Sequence, residues 1–191
     1  MEDEQLDDQD YSIMVHMPFA KYLLLDVPKF MSNYEMLYEI LKMECPKDED
    51  VEMRTYVCIL QACFLEVYFD AMFVHNLKTI LDPDVALQGT REEEIKVFYE
   101  DYLLILSKFL FSQEAKHVEI SVHGFCKLLI HQRLEEPANF VSVLLLLWHQ
   151  KKNTAISGYT TQVLSLFFNA FTSSRITDVE VFEDGFEYLY L

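Results

Sequence analysis

The chain has 191 residues, 51% of them hydrophobic, with only four glycines and five prolines. That balance excludes whole-chain disorder, collagen-like or low-complexity polymers, and a many-stranded sandwich or barrel, for which turn-formers are too few. Acidic side chains number 32 against 15 basic ones, and the formal net charge of −17 sets the whole chain against coating nucleic acid or an anionic membrane.

Residues 1–10, MEDEQLDDQD, carry six acids and no base, so they read as a disordered acidic tail and the reverse of a signal peptide. Residues 11–31 hold Pro18 and Pro28 without a sustained period and are expected to be irregular. Ser32 and Glu35 form a capping-box pattern opening a first helix to about Met43, stopped by Pro46. Met53, Tyr56, Val57, Leu60, Cys63, Phe64, Val67, Ala71 and Val74 follow helical spacing and define a second helix ending near Leu81. Thr90 and Glu93 repeat the capping-box pattern before a third helix with Ile95, Phe98, Tyr102, Ile105, Leu106 and Phe109 on one face. A fourth runs from about Glu114 to Gln132. Pro137, a first-turn proline, opens a fifth to His149 that is apolar nearly all round. A sixth spans about Ala155 to Ser173, and a seventh from Asp178 is interrupted by Gly185.

No stretch reads as a strand, and the helices are joined by short connections, so neighbours should pack antiparallel. Helix starts near 91 and 137 lie 46 residues apart, within the period of about 40–47 residues of HEAT-type repeats. The expected fold is all-α: antiparallel helix pairs stacked as a short HEAT-like α-solenoid, forming one helical-repeat domain over 32–191.

Catalytic patterns are missing from the sequence. Four isolated glycines build no phosphate-cradling loop, and neither G-x-S-x-G nor H-E-x-x-H occurs. His117 and His123 are six apart, off a single helical face, and read as surface histidines. Cys45, Cys58, Cys63 and Cys126 make no C-x-x-C pair and read as reduced core thiols. Asp48-Glu49-Asp50 and Glu135-Glu136 each precede a helix and read as caps and dipole partners. No enzyme, metal, cofactor or small-molecule ligand is expected. The densest apolar run, Phe140 to Trp148, falls short of the roughly 20 residues a membrane span needs, so the chain reads as soluble and intracellular.

The charge is unevenly spread. Residues 1–113 carry net −14 and residues 176–191 net −5, whereas residues 114–175 carry net +2. Lys127, Arg133, Lys151, Lys152 and Arg175 all fall in that basic interval, several at helix ends, where they can complement C-terminal dipoles. The sharper expectation makes them contacts to a phosphate backbone or an acidic partner.

The same interval carries a recognisable pattern. GFCKLLIHQRLEEPANFVSVLLLLWH (Gly124 to His149) followed by LSLFFNAF (Leu164 to Phe171) resembles the C-terminal region of the condensin CAP-G family, the G-type non-SMC HEAT-repeat component of the condensin complex. Gly124, Lys127 and Leu128 match that family's glycine and lysine-leucine pair. Leu144, Leu146, Leu147 and Trp148 match its leucine-rich helix ending in tryptophan, and Phe167 and Phe168 its double phenylalanine. The likeness covers about 114–175. It departs at His149, Gln150 and Lys151, which stand where the family has an aromatic and an Asn-Pro turn, and at Asn169, which replaces a proline.

The resemblance implies a non-catalytic scaffold that binds a kleisin-type subunit beside SMC ATPases in mitotic chromosome condensation. It also implies a nuclear and chromosomal location with a cytoplasmic pool. The chain is far shorter than a full-length protein of that family, so DNA contact is expected to be at most weak or indirect. Its apolar end, FEYLYL (Phe186 to Leu191), is expected to pack on another repeat or chain. The competing expectation is an acidic helical-repeat adaptor that binds a basic peptide and has nothing to do with chromosomes.

Overall fold

A computed structural model describes residues 25–44, 51–75, 89–150 and 156–190, together with residues 18, 21 and 22. Every regular element among them is helical: α1 (Val27–Lys42), α2 (Val51–His75), α3 (Gly89–Lys108), a 3₁₀ turn (Phe109–Phe111), α4 (Ala115–Ile130), α5 (Pro137–His149), α6 (Gly158–Ser174), α7 (Ile176–Glu187) and a closing 3₁₀ turn (Tyr188–Tyr190). The all-α helical-repeat expectation holds. Where the sequence reads as one domain over 32–191, the chain divides into two compact units, Met1–Ile105 and Leu106–Leu191. The acidic tail at 1–10 lies outside the described residues.

In the first unit, α1 begins inside the segment expected to be irregular. The Asp26 side chain accepts a hydrogen bond from the Lys29 N–H at 3.3 Å, and Pro28 sits in the first turn, where its missing N–H costs nothing. Pro28 therefore starts a helix rather than breaking one. Ser32 is no cap; its hydroxyl donates to the Lys29 carbonyl within the helix. At the other end, the buried Gln61 amide of α2 donates to the carbonyls of Met43 (2.7 Å) and Ile40 (3.3 Å), the second of which also accepts the Met43 N–H, so one side chain clasps the end of α1. Phe30 meets Tyr68 edge-on at 5.8 Å, so early α1 faces late α2 and the two run antiparallel.

Every residue of α2 from Leu60 to Leu65 is buried, more than one full turn enclosed on all sides. By length and composition this helix could cross a membrane, a feature the sequence reading overlooks, but about two thirds of its most apolar stretch is covered by protein, as in a core helix. Tyr102 of α3 completes the core, 5.0 Å from Tyr68 and stacked on Tyr38 at 5.6 Å. Burial pushes the Tyr102 hydroxyl well above its ordinary pKa, and Tyr38 up as well, so both rings stay neutral.

In the second unit, α4 ends in a Schellman turn. Gln132 adopts φ 53°, its N–H donates to the Leu129 carbonyl at 3.1 Å, and the Arg133 N–H reaches the Leu128 carbonyl at 2.9 Å. Pro137 is the first residue of α5, as its position requires. Ser157 caps α6 by accepting from the Thr160 N–H at 3.0 Å. Arg175 alone separates α6 from α7, in extended backbone. Phe168 and Phe182, each seven residues from Arg175, meet at 5.7 Å, so these two helices close as an antiparallel hairpin.

In the second unit α7 packs against both α5 and α6, and α4 packs against α6, so helices one element apart meet as well as sequence neighbours, as in stacked helix pairs. Gly185 does not interrupt the seventh helix, which runs through it from Ile176 to Glu187; it is there for close packing. A Cβ there would lie 2.7 Å from Val141 Cγ1 and 2.9 Å from the Ala138 carbonyl oxygen, so α7 crosses α5 at backbone distance.

Candidate partner-binding surface

The basic residues of the interval 114–175 do not act alike. Lys127 is exposed on α4, and Arg133 is half-buried just past the Schellman turn. Lys151 and Lys152 lie outside the described residues. Arg175 is committed within the fold: its Nη2 donates to the Ile130 carbonyl at 2.7 Å and its Nε to Asp178 Oδ2 at 2.8 Å. The Asp178 side chain is 4% exposed, so the guanidinium ties the end of α4 to a buried carboxylate in the first turn of α7. The sequence marks Arg175 but not its partner, although the Arg-x-x-Asp spacing across a helix start was there to be read.

Most residues of the recognised pattern meet in the second core, whereas Lys127 and Leu146 are exposed. Leu128, Leu144 and Leu147 are buried with Phe167 and Phe168, and Gly124 is buried in α4. Trp148 sits half-buried 5.3 Å from Phe168, and its indole N–H donates to Ser165 Oγ at 2.9 Å, which in turn donates to the Thr161 carbonyl. Ser165, 17 residues beyond the tryptophan, carries no sequence signal of that partnership. The pattern is thus a packing arrangement in which tryptophan and phenylalanine fix α5 against α6.

His117 departs from the surface role its spacing implied. It is 2% exposed, with Nδ1 at 3.1 Å from Ser112 Oγ and its ring edge-on to Phe109 at 5.0 Å. Ser112 also accepts from the Glu114 N–H, so one hydroxyl joins the start of α4 to the buried imidazole. His123 is half-buried and stacked on Tyr159 at 5.7 Å. Burial pulls its pKa below the ordinary value, assisted by Lys127 and Lys116 and opposed by Glu119.

Glu136 stands at the N-cap position of α5, yet its carboxylate accepts from the Asn139 side chain at 2.7 Å instead of a backbone N–H. Asp48, Glu49 and Asp50 lie outside the described residues. Among the described residues Cys58, Cys63 and Cys126 form no disulfide, and burial pushes the Cys63 and Cys126 thiols upward, away from the reactive thiolate. Cys45 lies outside the described residues. Among the described residues, no group of three or more His, Cys, Asp or Glu side chains could hold a metal ion.

Residues 21–186 match the family of nuclear condensing complex subunits, C-terminal domain. The chain belongs to this condensin family. The match reaches well beyond the stretch 114–175 and takes in α1 to α3, which contributed no motif of their own. No curated protein and no solved structure matches the chain. Condensin's non-SMC subunits are scaffolds rather than catalysts, and membership associates the chain with a condensin complex, chromosome condensation and, in general, the nucleus and chromosomes.

Proposed function

We propose that this chain is a binding scaffold of a condensin complex, docking a kleisin-type segment beside SMC ATPases during mitotic chromosome condensation. It is nuclear and chromosomal with a cytoplasmic pool, and no chemical step occurs on it. The observation that carries this reading is the family match over residues 21–186; of the recognised side chains, Leu128, Leu144, Leu147, Phe167 and Phe168 are buried together in the second core. Lys127, Arg133, Lys151 and Lys152 supply contacts to an acidic partner or a phosphate backbone. Arg175 contributes less, because two hydrogen bonds already hold its guanidinium. Contact with DNA is weak or indirect, since the chain as a whole carries net −17.

The deciding experiment is co-purification of the chain from mitotic cells. Recovery of the kleisin and SMC subunits is expected, and their absence with the chain folded and expressed would remove the proposal. Charge reversal of Lys151 and Lys152 to Glu should weaken the association. Any DNA shift should fade steeply as salt rises.

A further inference from the structure

We draw no further inference here: the strongest candidate, the solvent-facing stripe of Glu180, Glu183, Asp184 and Glu187 on α7, is an acidic cluster, and nothing in the structure shows what covers it.

Discussion

Arg175 and Ile130 lie 45 residues apart in sequence, yet the guanidinium of one holds the backbone carbonyl of the other at 2.7 Å. The same side chain grips Asp178, so two charge-assisted bonds depend on one residue. Arg175→Ala is expected to cost about 2–4 kcal/mol, because it strands a buried carboxylate as well as losing the bonds. Urea unfolding would measure it, and an unchanged midpoint would return Arg175 to the role of a surface contact. Lysine reproduces only one of the two bonds, so Arg175→Lys should fall between.

The crossing at Gly185 gives a prediction whose sign is informative. In an isolated helix, glycine to alanine gains about 1 kcal/mol. Here the new methyl would press on Val141 and on the Ala138 carbonyl, so Gly185→Ala should destabilise by about 1–3 kcal/mol. Combining it with Val141→Ala should recover part of the loss, a non-additivity that a double-mutant cycle reads directly. The Ala138 carbonyl is backbone and cannot be trimmed away, so recovery is incomplete.

Gln132 offers a change in the opposite direction. It holds a left-handed φ of 53° that side-chain-bearing residues adopt at a cost, while both Schellman hydrogen bonds come from the backbone. Gln132→Gly should therefore stabilise the protein by about 0.5–1 kcal/mol, visible as a higher melting temperature. Gln132→Val should do the reverse, since a branched side chain tolerates this region least.

How much of this could be read from the chain differs by element. Pro137 to His149 was legible to the residue, because a first-turn proline and an unbroken apolar run point the same way. Pro28 misled, because proline stops or starts a helix depending on the side chain before it, and only the bond between Asp26 and the Lys29 N–H decides which. Gly185 looked like an interruption because its reason lies on α5, more than 40 residues away. The aromatic-leucine pattern was legible as a family signature, while Ser165 as the partner of Trp148 and Asp178 as the partner of Arg175 were not. Each of those is chosen by a helix crossing rather than by its neighbours in sequence. The division at Ile105 left no compositional mark, since α3 runs through it.

A pH dependence follows from His123. Burial holds its pKa below the ordinary 6.5, so between the lowered folded value and 6.5 the unfolded chain binds more protons. Its contribution to stability is complete above 6.5 and is lost as pH falls toward the folded value. Melting temperature should therefore drop as pH falls below 6.5, and His123→Gln should flatten that slope. An equal slope in the variant would place the titration elsewhere. Glu119→Gln should steepen it, because Glu119 works against the lowering.

Trp148 is the sole tryptophan of the chain, and it belongs to the unit Leu106–Leu191. Its indole is hydrogen-bonded to Ser165 and lies against Phe168. Intrinsic tryptophan emission is therefore an optical reporter wired to one half of the molecule. Far-ultraviolet dichroism, by contrast, sums every helix in both halves. A protein whose two halves melt as one cooperative body gives coincident curves by the two probes, and one whose halves melt in turn gives curves that separate. With no label added, one indole ring makes the chain its own gauge of how far its two cores depend on each other.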